Sequence, residues 1–273
     1  MISAAQWDAY NKACLTVTAQ AKADVSARVS AWLAANPSAT VAEAREAAEG
    51  IAAAVLADNA QAASSLAAQW YDARAKAAGA KLDRAVTLPV SDEARESLAK
   101  TARYQAGRLG EDGGAGAFAE AMGEWAEYQS RLVLNRTIIS NAKRDRRKGV
   151  RFARVTTGRN TCNFCTMLAG RGAVYHSRET AGELGKYHTH CQCKVVPSFA
   201  GKADDVLVEG HDPKDEERRW HLFEAIDEAA PDASAAKAAK QAANELGALD
   251  MGELLDGLTD EQLEQLGLDP GES

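Results

Sequence analysis

Residues 4–36, AAQWDAYNKACLTVTAQAKADVSARVSAWLAAN, place Trp7, Tyr10, Cys14, Val17, Ala21, Val25, Val29 and Leu33 at spacings of three and four. That period winds a single apolar stripe along one long helix. Asn36-Pro37 closes it, because the residue before a proline is pushed out of the α region. Thr40-Val-Ala-Glu43 then has the capping-box pattern, in which hydroxyl and carboxylate each satisfy a free N–H of the next first turn. The second helix is predicted over 41 to about 78, with Val41, Ala44, Ala48, Ile51, Val55, Ala62, Leu66 and Trp70 inward and an end near Gly79. Gly50 lies inside it and lowers its intrinsic propensity. Beyond the extended Val86-Thr-Leu-Pro-Val90, Ser91 is placed to cap a third helix over 92–107. Four glycines between Gly110 and Gly116 make a loop. A fourth helix is predicted over 117–146, with Phe118, Met122, Trp125, Leu132 and Ile139 facing its partners.

The fold class expected is mainly α: an elongated Ala-rich helical region over residues 1–142, a small α+β domain over 143–199, and an acidic, partly helical or flexible tail over 200–273. Charge separates the three. The whole 273-residue chain carries 32 basic and 39 acidic side chains, yet residues 143–199 hold 12 and 3 of them and residues 200–273 hold 6 and 20. A net of −7 is therefore a sum of near-neutral, strongly basic and strongly acidic segments. No run of about 18 apolar residues occurs, nor a basic stretch followed by an apolar core, so the reading is a soluble protein made in a cytoplasm.

The chemistry-bearing stretch runs from Thr161-Cys162-Asn-Phe-Cys165 to Tyr187-His188-Thr-His190-Cys191-Gln-Cys193. Two cysteines separated by two residues form a knuckle whose thiolates converge on one ion, and a Cys/His-rich second half can complete a tetrahedron. Sulfur and imidazole donors select Zn²⁺ over the oxygen-seeking Mg²⁺ and Ca²⁺. The candidate ligands are Cys162, Cys165, His188, Cys191 and Cys193. The preferred set takes Cys162, Cys165, His188 and one of Cys191 or Cys193, with His190 outside it. Free buried thiols or a redox pair are the alternative. A site closed by four protein ligands contributes folding energy, and a domain of about 50 residues buries too little surface to be stable without such a staple.

Catalytic readings fit poorly. A zinc deaminase needs His-x-Glu ahead of Pro-Cys-x-x-Cys, and a zinc protease needs His-Glu-x-x-His; neither occurs. His176-Ser177 near Glu179 is an adjacency in sequence, whereas hydrolase partners meet in space. No residue is assigned a catalytic role.

The run Lys143, Arg144, Arg146, Arg147 and Lys148, continued by Arg151 and Arg154, has two readings. One is a solvated helix end that suits the negative pole of the helix dipole. The other is a contact to nucleic-acid phosphate or to an acidic partner. Phe152 is the one aromatic among these charges, so base stacking is weakly indicated.

In Cys162-Asn-Phe-Cys165-Thr-Met-Leu-Ala, Arg171-Gly-Ala-Val-Tyr175 and Tyr187-His188-Thr-His190-Cys191-Gln-Cys193-Lys-Val-Val-Pro197 the chain resembles the Mu F-like minor head proteins of tailed bacteriophages, in particular their actinophage branch. The family's His-Pro-x-Cys-x-Cys ending is matched by His188, Cys191 and Cys193, with Thr189 in place of proline. The resemblance covers about 45 residues closely and stops before the tail. It implies a structural virion protein in few copies near the portal vertex of the phage head, assembled in the host cytoplasm. The portal protein, the major capsid protein and packaged DNA are its implied partners. Some relatives are labelled capsid maturation proteases, which keeps a protease or metal-dependent hydrolase as the alternative.

In the tail, 212–229 reads as a charged helix broken by Pro231, Ala233–Leu246 as a second, and Leu258–Gly267 as a short capped one. The segment is expected either as a mobile solubilising tail or as a docking peptide that inserts Leu258, Leu263 and Leu266 into a partner groove.

Overall fold

The structure is a computed structural model and describes residues 1–157, 161–176, 193–199, 201–266 and 268. These divide into two compact units, one made of residues 5–144 and the other of residues 1–4 with 145 onward.

In the first unit, α1 (Ala4–Ala35), α2 (Val41–Ala77), α3 (Asp92–Gln105) and α4 (Gly114–Arg144) follow the sequence periodicity closely. The capping box forms: Glu43 N–H donates to Thr40 Oγ1 at 3.3 Å, and Thr40 N–H donates to the Glu43 carboxylate at 2.8 Å. Ser91 Oγ accepts from Ala94 N–H at the start of α3. Ala21, Val25, Val29, Ala48, Ala52, Val55, Leu56, Leu98, Phe118, Met122 and Trp125 build the shared core. Alanine at so many of these positions lets backbones approach. A Cβ on Gly123 of α4 would stand 2.7 Å from the Lys22 carbonyl oxygen of α1, so that crossing requires a residue without one.

The stripe on α2 differs from the expectation at its first residue and in its second half. Val41 and Ala62 are exposed and Leu66 and Trp70 only half-buried, while Ala60, Ala63 and Ala67 face inward. At Leu66 and Trp70 side-chain size pointed away from the small-residue face that is in fact buried. Polar groups tie the helices as well. Asn59 of α2 donates to the Val17 carbonyl of α1 at 2.8 Å and accepts from Ser130 of α4 at 2.6 Å. Asn141 makes both hydrogen bonds of Val86, holding the extended connection down.

The second unit contains a two-stranded antiparallel sheet of β1 (Val150–Val155) and β2 (Lys194–Phe199), with α5 (Asn163–Gly170) packed on it. Tyr175 adds a one-residue bridge to β1, exchanging both backbone hydrogen bonds with Phe152. Four further helices complete the unit: α6 (Pro213–Ala229), α7 (Ala233–Leu246), α8 (Met251–Asp256) and α9 (Asp260–Leu266). The expected mobile tail is thus folded among the described residues. Leu222, Phe223, Ile226, Ala239, Ala243, Leu254 and Leu263 make its core. Leu263 is buried there, and Leu258 and Leu266 pack against it, which corrects the docking-peptide expectation: these leucines are spent on the chain's own core. The sequence reading missed α8, whose six residues are too few for a period to register.

No helix among the described residues is long and apolar enough to cross a membrane.

Candidate metal centre

β1 and β2 pair in a register that sets Arg154 opposite Val195 and Val155 opposite Lys194. Side chains alternate along a strand, and opposed residues of an antiparallel pair share a face. Phe152 and Arg154 therefore face the same way as Val195 and, two residues before it, Cys193. On the helix side, Cys162 occupies the N-cap of α5 with extended backbone, and its carbonyl accepts from Thr166 N–H at 3.0 Å. Cys165 falls at the third helical position, from which a side chain turns back toward the cap.

The result is a buried thiol pair. Cys165 is 3 % exposed and Cys193 5 %, and their sulfurs stand 3.4 Å apart although 28 residues separate them in sequence. None of the four described cysteines is in a disulfide. Two thiolates on one zinc, at bonds of about 2.3 Å and tetrahedral angles, would stand about 3.8 Å apart. The pair therefore fits two corners of a zinc site with a shift of a few tenths of an ångström. No group of three or more His, Cys, Asp or Glu side chains able to hold a metal forms among the described residues. Cys162, half-buried, is not drawn into such a group with the pair, and His188, His190 and Cys191 lie outside the described residues.

Arg154 changes place relative to the sequence reading. It is 2 % exposed, so it is withdrawn from any surface that could meet phosphate. Its Nη2 donates to Cys165 Sγ at 3.6 Å and also to Cys193 Sγ. Parity along the strand carried the signal: Arg154 is two residues from the apolar Phe152 and shares its inward face. The rest of the basic run keeps to the outside. Lys143 and Arg144 end α4, Arg146, Arg147 and Lys148 form an exposed 3₁₀ turn, and Arg151 is half-buried. Arg144 donates to the carbonyls of Asp83 and Arg84, both at 3.0 Å.

Beside the thiol pair lies a second polar feature that the sequence reading did not single out. Glu216 of α6, 6 % exposed, accepts from the Thr156 hydroxyl at 2.6 Å and from Arg219 at 3.1 Å. Burial pushes its carboxyl above the usual carboxylate range, against the lowering effect of those two donors. A cavity of about 20 Å³, room for one water, is lined by Arg154, Thr156 and Glu216 among others. Around the corner a wider cleft of about 330 Å³ is lined by Thr157, His211, Asp212 and Asn244 as well as Glu216. Tyr175 anchors α5 from below, its hydroxyl donating to the Leu168 carbonyl at 2.6 Å, and burial pushes that hydroxyl up to about 12.

These observations define a helix-rich protein whose small sheet and a short helix bring two distant cysteines into one buried pair. The VG15 protein family model matches residues 1–223, so the chain belongs to the VG15 family, whose name points to a phage-encoded gene product. No curated protein and no solved structure matches the chain. The match spans the four long helices, both strands and α5, and ends within α6.

Proposed function

We propose that this VG15 protein is a structural minor head protein of a tailed phage, located near the portal vertex and contributing to head assembly. The observation that carries the reading is the family match over residues 1–223, which joins the long helices and the cysteine-bearing segment in one phage gene product. The Mu F-like motifs in that segment supply the finer assignment. In this reading the α1–α4 core is a rigid body that binds the portal or major capsid protein, and several copies are built into each head. Cys165 and Cys193, with Cys162, His188 or Cys191, hold a structural Zn²⁺ that ties α5 to the end of the sheet.

The direct test is the composition of virions. Heads purified by density gradient from the encoding phage should contain the chain in few copies, and deletion of its gene should leave heads unassembled or empty. A chain absent from purified virions and dispensable for head formation overturns the reading.

The exposed turn at Arg146–Lys148 supports contact with packaged DNA. If these side chains meet phosphate, the affinity of the purified chain for duplex DNA falls steeply with salt. Exchanging Arg146, Arg147 and Lys148 for Gln should then flatten the slope of log K against log salt by about 3. An unchanged slope in a salt titration assigns the turn to solvent instead.

A further inference from the structure

Arg154 is the part of the candidate centre that a set of cysteine and histidine ligands does not account for. A zinc site needs thiolates and imidazoles; it does not need a guanidinium in the protein interior. Yet this one is 2 % exposed and aims the same nitrogen at sulfurs from two distant segments, Cys165 of α5 and Cys193 just before β2.

We propose that Arg154 is the positioning and charge-balancing residue of a zinc–thiolate centre, holding Cys165 and Cys193 at two corners of the tetrahedron and offsetting the negative charge of the loaded site. The inference rests on the zinc reading given above. One observation, the buried guanidinium nitrogen on both sulfurs, carries it together with three points of chemistry. A guanidinium keeps its charge when buried, and its N–H groups are rigidly placed donors, so they fix the acceptors they reach. Sulfur accepts weakly as a thiol and well as a charged ligand, so a donor aimed at two sulfurs suits metal-bound thiolates. The three-thiolate, one-imidazole set offered by the sequence cluster would give a Zn²⁺ site a net charge of −1, costly in an interior unless matched, and one guanidinium would cancel it.

The position is set by the strand, which gives the argument its specificity. The register of β1 against β2 sets Arg154 opposite Val195 and thereby beside Cys193. Cys193 is then the member of the Cys191/Cys193 pair whose place at the centre is fixed by the sheet. Arg154 acts on the sulfurs as hydrogen-bonding partners of metal ligands do elsewhere, by orienting them before the ion arrives.

The test uses the full-length chain purified under reducing conditions, as wild type, Arg154→Gln and Arg154→Lys. Zinc content is measured by elemental analysis, zinc affinity by competition with a chromophoric chelator, and the sulfur-to-metal charge-transfer band in the Co²⁺-loaded protein. Wild type should carry one zinc. Arg154→Gln should bind it about 10–100-fold more weakly. Its charge-transfer band should move to longer wavelength, because sulfur lone pairs rise in energy when charged N–H donors are withdrawn. Arg154→Lys keeps the charge but not the reach to both sulfurs, so it should recover most of the affinity while its band still shifts. A wild-type chain without zinc overturns the zinc reading, and the role of Arg154 falls with it. A zinc-loaded wild type together with an Arg154→Gln chain of unchanged affinity and band overturns the inference while leaving the zinc reading standing. If Arg154→Gln does not fold by circular dichroism, Arg154→Lys decides, and a band at the wild-type position overturns the positioning role.

Discussion

Substituting Gly172 with Ala should destabilise the unit that holds the thiol pair by about 2–5 kcal/mol. Gly172 turns the chain out of α5 with φ +66°, a left-handed conformation that costs an L-residue about 1–2 kcal/mol. The added Cβ would also stand 2.0 Å from the Ala203 carbonyl oxygen, which no packing adjustment of a side chain relieves because the neighbour is backbone. That carbonyl accepts from Ala173 N–H at 2.8 Å, and Ala173 is fully buried. Moving Ala203 away leaves a buried amide unpaired, at a further cost of about 1–3 kcal/mol. Urea denaturation followed by segment-resolved hydrogen exchange reads the result. Protection should fall in β1, α5 and α6 at lower urea while α2 and α4 keep theirs. An unchanged midpoint for β1 and α5 would show that the turn yields without loss.

Stripping the metal should have an effect of similar size if the zinc reading holds. A ligand that binds the native state alone stabilises it by about 4 kcal/mol when its free concentration is a thousandfold above Kd. A strong chelator, or Cys193→Ala, should therefore remove that increment from the unit containing α5 and the sheet. The α1–α4 unit has its own core of Ala21, Val25, Leu56, Phe118 and Met122 and should melt as before. Calorimetry with and without chelator separates the two transitions. A thermogram insensitive to chelator, from protein shown to be metal-free as purified, removes the staple and leaves Cys165 and Cys193 as buried thiols.

Most of the helical unit was legible in the sequence because its determinants are local. The period of Trp7 to Val29, the Thr40/Glu43 box and the Ser91 cap depend on residues three or four apart, and the structure realises each of them. Where the reading of α2 slipped, the choice lay between Leu66 or Trp70 and plain alanines. A helix that packs tightly buries its smallest face, so size misled where period did not. The tail shows the same limit. Three of its four described helices were visible, but whether Leu263 meets a partner or its own chain depends on which surfaces come together, and here it joins the core that α6 and α7 build.

The candidate centre divides in the same way. Residue types and spacing by themselves singled out Cys162, Cys165 and the 188–193 cluster as candidate metal ligands, since donor chemistry is a property of the side chain. Only the tertiary structure decided that Cys193 meets Cys165 and that Arg154, one charge in a basic run, leaves that run for the interior. The reason is register. A strand sends alternate side chains to opposite faces, so parity with Phe152 places Arg154 inward, but that it meets sulfur there follows from which residue of β2 it pairs with, a contact across about 40 residues of chain.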